Sequence, residues 1–228
     1  MKNLIFFLFA FLLLSSCSRE YYKTAGYDQY APGHHLIAVV PVHTITTGRI
    51  PPEVTGEMIE QLENAESQAF QISLYNEIAR RSGSRAGEIQ INLQHYTETN
   101  ARLKEAGYTP RESLELPPAE LAQILGVDAV VRATVRKTQY LTDLEAFGLD
   151  MATTFLAIFT DWPFWFIPDS KTADVDASCS ILDGTTGIPV WSTNRRWRLD
   201  WNRRHNEIID NISRKMARRF PYRESWDR

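Results

Sequence analysis

The hydrophobic positions of this chain change period along its length, and each change marks an element. Leu4 to Leu14 (LIFFLFAFLLL) is a solid apolar run, and Leu36 to Val42 (LIAVVPV) is a shorter one that fits a buried strand. From Pro52–Gly56 the spacing turns helical to about Ser82. Met58, Leu62, Ala65, Ala69 and Ile72 form the apolar stripe, with Glu57, Glu60, Glu63 and Glu66 outside. Acid at its start and Arg80 and Arg81 at its end suit the helix dipole. Glu88 to Leu93 alternates as a strand. A short helix over about Thr97–Ala106 ends at Gly107, and another runs from Pro117–Pro118 to Gly126, with proline leading and glycine closing. Asp128 to Arg136 (DAVVRATVR) is a β-branched strand. Ala173, Val175, Ala177, Cys179 and Ile181 then share one face of a strand of period two. The turn at Asp183–Gly187 joins it to Ile188–Trp201 as a hairpin. A last helix, about Asn202–Arg219, carries His205, Ile208, Ile209, Ile212, Met216 and Phe220 on one stripe. This order predicts an α/β (α+β) fold: a mixed sheet of about five strands with packed helices and a hydrophobic helical insertion.

The insertion, residues 140–171, has its own pattern. Thr142-Asp-Leu-Glu145 fits a capping box. Leu144, Phe147, Met151, Phe155, Ile158, Phe159 and Trp162 recur at three-and-four spacing until Pro163 stops the helix. Phe164, Trp165, Phe166 and Ile167 follow, held between Pro163 and Pro168. The longest uncharged run, Met151 to Thr160, is too short to cross a bilayer. Three readings are open for this stretch: core over the sheet, a partner or self-association surface, or contact with a lipid surface. Its polar face carries Asp and Glu rather than the Lys and Arg of interfacial helices, which weighs against the third. As a partner or oligomer contact, its candidate residues are Phe155, Phe159, Trp162, Phe164, Trp165 and Phe166.

The amino-terminal run gives an address. Lys2 precedes it, and Ser15, Ser16 and Cys17 follow directly. It has the length of a signal-peptide core and is too short for a stable span. The L-S-S-C ending resembles the bacterial lipobox, which implies cleavage before Cys17 and a lipid on its sulfur. The residue after the cysteine is Ser18 and not the Asp that would resemble an inner-membrane retention signal, so the outer membrane, facing the periplasm, is the expected place. The expected division is a signal peptide over 1–16, lipidated Cys17 with a tether to residue 34, one domain over 35–222, and a tail over 223–228. The tether reading rests on the polar, Tyr-rich, Gly- and Pro-broken composition of residues 18–33. With Cys17 acylated, Cys179 has no intramolecular partner and reads as a small core residue.

Charge changes the picture next. The chain has 228 residues, 43% of them hydrophobic, and a formal net charge of −3. That composition excludes a disordered or cysteine-stapled chain and a nucleic-acid binder working through global charge. The near-balance conceals an asymmetry: residues 190–228 hold 11 Lys+Arg against 5 Asp+Glu, and the rest of the mature chain is acidic. Arg196, Arg198, Arg214, Lys215 and Arg218 are the candidate contacts for an anionic partner, since guanidinium groups pair bidentately with carboxylate and phosphate.

Catalytic signatures are scarce. There is no G-x-S-x-G, H-E-x-x-H, P-loop or C-x-x-C. His34 and His35 adjoin in the expected tether, and no spacing unites His43, His95 or His205 with carboxylates as metal ligands. No catalytic residue, metal or cofactor is expected.

Three segments carry a resemblance: LIAVVPV at 36–42, LAQILGVDAVVRATV at 121–135 and SILDGTTGIPVW at 180–191. A strand ending in V-x-P, a helix running into L-G-V-D-A-V-V and a D-x-x-T-G-x-x-x-W hairpin are similar to a group of envelope proteins. The group includes the amino-terminal domain of the Tol translocation protein, the lipoprotein activators of penicillin-binding proteins and the curli secretion channel subunit. The resemblance implies a mixed α/β fold and a binding or assembly role. The curli subunit's two long strand pairs have no counterpart here, and residues 140–171 differ. The expected protein is thus a non-enzymatic, lipid-anchored envelope lipoprotein with an envelope protein partner or a homo-oligomer, and no nucleic acid. A subunit or accessory of an export assembly is the alternative, and an enzyme acting on envelope polymers is the second.

Overall fold

A computed structural model describes residues 21–48, 55–81, 91–139, 173–199 and 205–222. Its strands are β1 (Tyr21–Lys23), β2 (Leu36–Val39), β3 (His43–Gly48), β4 (Asn92–Gln94), β5 (Ala129–Gln139), β6 (Ala173–Asp183) and β7 (Pro189–Leu199). Its helices are α1 (Tyr27–Tyr30), α2 (Gly56–Arg81), α3 (Tyr96–Glu105), α4 (Pro118–Leu125) and α5 (His205–Ala217). The fold is mixed α/β, as expected, but the sheet has seven strands rather than about five, in the order β1-β7-β6-β5-β2-β4, with β3 also on β5. The additions are short. β1 lies in the expected tether, and β3 follows the proline that was to end the first strand. The hydrophobic helical insertion lies outside the described residues.

β5 organises the sheet because its two ends live in different surroundings. Its first residues pair in parallel with β2, and both faces are covered there. Ala129 and Val131 pack towards α2 and α5, while Val130 packs with Ala38 and Val40 against Leu103, Leu121, Ala122 and Leu125 of α3 and α4. The unbroken Ala-Val-Val of 129–131 reflects this two-sided burial. Further along, β5, β6 and β7 are antiparallel neighbours. Here, among the described residues, one face is buried: Ala133, Val135, Val175, Ala177, Cys179 and Ile181 meet Phe70, Leu74 and Ile78 of α2 and Ile208, Ile212 and Met216 of α5. The opposite parity is polar and carries Thr134, Arg136, Asp176, Ser178, Ser180 and Arg196. Cys179 is buried in the core, as its alternation predicts.

β2 and β3 are one strand with a break. Val39 pairs with Val131 and His43 with Thr134, so the three residues 40–42 oppose the two residues 132–133. Pro41, which has no N–H to donate, occupies the bulge. The outer edge of β3 is closed by α2. The Thr46 amide donates to Glu63 Oε1 at 2.7 Å, and the Thr44 hydroxyl donates to the Glu63 carbonyl at 2.6 Å.

α2 departs from its expected amphipathic pattern. Glu66, Ser67, Gln71, Ser73 and Glu77 are buried on it, although Glu66 was assigned to the outer face. Gln71 donates to the Val39 carbonyl at 2.9 Å, and Lys137, on the inward parity of β5, places its ammonium on both carboxylate oxygens of Glu66. Lys137 is 2% exposed and Glu66 1%. Such a pair gains little over apolar side chains of the same size, but breaking it strands a buried charge. Glu66→Ala should therefore cost about 3–5 kcal/mol in urea unfolding. The double replacement Glu66→Leu with Lys137→Met should recover most of that loss, and a double variant as unstable as the single one would contradict this account.

Candidate functional site

The site is built where three distant stretches of chain meet, at the end of the sheet where β2 and β5 begin. Residues 21–34, expected to be a tether, are part of the domain. β1 pairs antiparallel with β7, Tyr21 opposite Thr193 and Lys23 opposite Trp191. The Thr24 amide then donates to the Val190 carbonyl at 3.1 Å, and α1 turns the chain inwards. Tyr27 is buried, its hydroxyl donating to the Pro221 carbonyl at 3.2 Å and its ring 6.5 Å from that of Tyr222. Burial, assisted by Asp28, pushes the Tyr27 phenol up to about 12, so it stays protonated. Tyr222 in turn packs edge-on to Phe220, and Phe220 to the buried Trp191.

His34 closes the arrangement. It is 2% exposed, and both ring nitrogens have partners. Nδ1 faces the Tyr222 hydroxyl, and Nε2 lies 2.9 Å from Asp183 Oδ1. Burial raises the Tyr222 phenol far above its ordinary range, and Tyr27 and Asp183 add to this, so Tyr222 keeps its proton. The phenol at Nδ1 and the carboxylate at Nε2 together give each ring nitrogen of His34 a hydrogen-bond partner. Asp183 receives more: its Oδ2 accepts the Thr186 amide and the Thr186 hydroxyl, each at 2.7 Å. Desolvation alone would raise the Asp183 pKa. The bonds from His34 and Thr186 outweigh it and hold the carboxyl below its usual range.

The hairpin and the β5 entry are locked to the same place. Gly184 donates to the Asp128 carbonyl at 2.7 Å, and a Cβ there would lie 2.6 Å from that oxygen. This close approach is why the turn needs glycine. Asp128 Oδ2 accepts the amides of His35 and Leu36 at 2.9 and 2.8 Å. α4, closed by Gly126 at φ +63°, supplies Glu120 to the rim. Between these elements lies a cavity of about 770 Å³, bordered by Tyr30, His34, Glu120, Asp128, Asp183 and Thr186 among others. Three carboxylates, threonine hydroxyls and an aromatic ring around one hollow suit a ligand that brings hydrogen-bond donors or positive charge. His34 borders the same hollow with both ring nitrogens engaged, one by Tyr222 and one by Asp183. Cys179 offers no nucleophile, since burial pushes its thiol up to about 12. Among the described residues no three His, Cys, Asp or Glu converge as metal ligands.

Of the sequence-predicted site residues, the described Arg196, Arg214, Lys215 and Arg218 are apart from this cavity. Arg196 lies on the polar face of the sheet, 3.2 Å from Asp176. Arg214 and Lys215 belong to α5 on the other side, Arg214 3.5 Å from Glu77 and Lys215 with its ammonium 5.0 Å from the Trp197 ring centre. Arg218 follows α5 and bears, with Arg219, on Arg195 across the inner face of β7. The five basic candidates are therefore not one patch, because strand alternation sends Arg196 and the α5 residues to opposite faces. Arg198 is on β7 with the parity of Arg196, and its side chain is outside the described residues. Cys17, Phe155, Phe159, Trp162, Phe164, Trp165 and Phe166 are also outside them.

No family model matches the chain, and no curated protein matches it. Solved structures similar to it include lipoprotein GNA1162 from Neisseria meningitidis, with 18% identity over 81% of this chain and 96% of that one, at a TM-score of 0.45. The PelC dodecamer from Paraburkholderia phytofirmans matches with 11% identity over 80% and 86%, at a TM-score of 0.37. The LpoB C-terminal domain from Salmonella enterica matches with 12% identity over 73% and 84%, at 0.38. The likeness is one of overall arrangement. With TM-scores below 0.5 it bears on neither activity nor partner.

Asp183→Ala would leave the buried His34 N–H without an acceptor and should cost about 1–3 kcal/mol. The acid dependence has a definite sign. A carboxyl with a lowered pKa contributes stability above its unfolded value of 3.8, and that stability is lost as pH falls through the folded value. Asp183→Asn should therefore flatten the decline in stability below about pH 4 seen by denaturant titration; an unchanged decline would remove Asp183 from the account.

Proposed function

We propose that this protein is a lipid-anchored lipoprotein of the bacterial cell envelope, facing the periplasm from the outer membrane, with a binding or assembly role and no catalysis. The observation that carries the reading is Leu14-Ser15-Ser16-Cys17 directly after an apolar run of signal-peptide length. The structure is in keeping with binding rather than chemistry. Its large cavity carries Glu120, Asp128 and Asp183 on its border, which suits a ligand with donors or positive charge. The anchor confines the domain to a membrane plane and so raises its effective concentration for partners held there. The aromatic residues Phe155, Phe159, Trp162, Phe164, Trp165 and Phe166 serve as the contact with an envelope protein or a second copy. The arginines of β7 and α5 serve anionic groups on two separate surfaces.

Mass spectrometry of the mature protein should find Cys17 as the first residue, carrying diacylglyceryl and acyl groups, and Cys17→Ser should release the domain from the membrane fraction. An unmodified Cys17 would overturn the anchoring. Removing residues 143–168 should shrink the species captured by crosslinking in intact cells. Unchanged crosslinked species would take the contact role away from that segment.

A further inference from the structure

The pairing of β1 has a consequence for where the membrane lies. Tyr21 is fixed opposite Thr193 in the middle of β7, so four residue steps separate the first paired residue from Cys17. Four extended residues reach at most about 14 Å. Traced back from Lys23 to Tyr21, β1 itself passes from the Trp191 row to the Thr193 row and so points towards the row of Trp197, Val175 and Lys137. That row lies four residues, about 13 Å, further along the strands. Two rows beyond it the described sheet ends at Leu199, Ala173 and Gln139. Resting on the lipidation of Cys17 proposed above, we infer that the domain stands end-on upon the bilayer, with the Trp197–Val175–Lys137 row at the level of the lipid headgroups.

The partner of this end is a phospholipid surface. Trp197 is half-buried there, with the Lys215 ammonium over its ring, and Arg136 and Arg196 are exposed one row below. Tryptophan and arginine are the side chains that settle at a headgroup layer. Asp174 and Asp176 stand among them, and Arg196 pairs with Asp176, so the short connection and not net charge sets the orientation. Residues 140–172 leave the sheet after Gln139 and return at Ala173, and residues 200–204 leave after Leu199, all from this same end. The cavity lies at the other end. Asp183 is eight residues along β6 from Val175, about 26 Å, so the cavity opens away from the membrane towards partners in the aqueous space.

The test uses the mature acylated protein in vesicles of phosphatidylglycerol and phosphatidylcholine. Single cysteines at R136C, K23C and T185C carry an environment-sensitive fluorophore, and R196C, on the row of Arg136, provides a second upper position. The buried Cys179 thiol does not compete for the label. Brominated lipid should cause the largest loss of fluorescence at R136C and R196C, less at K23C, and none at T185C. The largest loss at K23C would mean that the bilayer meets the β1 edge, and no loss at any position would mean that the domain stands off. Either result overturns the orientation while mass spectrometry shows the acyl groups in place. Their absence would overturn the anchoring itself.

Discussion

The arrangement depends on the hydrogen-bonded set of His34, Asp183 and Tyr222. These residues come from the segment before β2, the end of β6 and the end of the described chain, and nothing in local sequence joins them. Once Asp183 holds the imidazole, Tyr222 is fixed by Nδ1, Tyr27 by the ring of Tyr222, and β1 by the chain that leads into Tyr27. The same carboxylate ties down the hairpin turn through Thr186. Leaving such buried polar groups unpaired is costly, so the set holds only when all three stretches are present together. The cavity at this end of the sheet and the docking of β1 on β7 follow from one constraint.

Much of the fold is legible from period alone. The switch from Ala-Val-Val to strict alternation in β5 announces a strand buried on two faces and then on one. The Asp183–Gly187 turn and the glycine closing α4 are chemically specified. The misses are of another kind. Glu66 looks like one more solvent-facing acid in a run of glutamates, and its burial depends on Lys137, 71 residues later, being on the inward parity of β5. β3 escapes because its residues His-Thr-Ile-Thr-Thr-Gly carry little apolar signal, and its outer edge is satisfied by a side chain of α2 instead of a strand. Tertiary partners override local pattern at both places.

The site was less legible than the fold. A stretch rich in tyrosine, glycine and proline reads as a linker, and an adjacent pair of histidines in it reads as incidental. The signal that could have corrected this is the placement of single residues rather than any motif: an aspartate ending an alternating strand at a tight turn, and an aromatic tail after the last helix. The basic residues of 190–228 divide between two surfaces, because a β-strand sends alternate side chains to opposite faces and Arg196 is on the face away from α5.

The two ends of the sheet differ: β1 points towards one, and the cavity with its acidic rim lies at the other. The central claim is that residues 21–34 belong to the domain. Amide hydrogen exchange of the mature protein tests this most directly. The account predicts that the amides of β1 and Thr24 exchange as slowly as those of β7 with which they pair, opening only when the edge of the sheet opens. Exchange of residues 21–34 at the rate of an unstructured peptide, beside a protected β7, would contradict it.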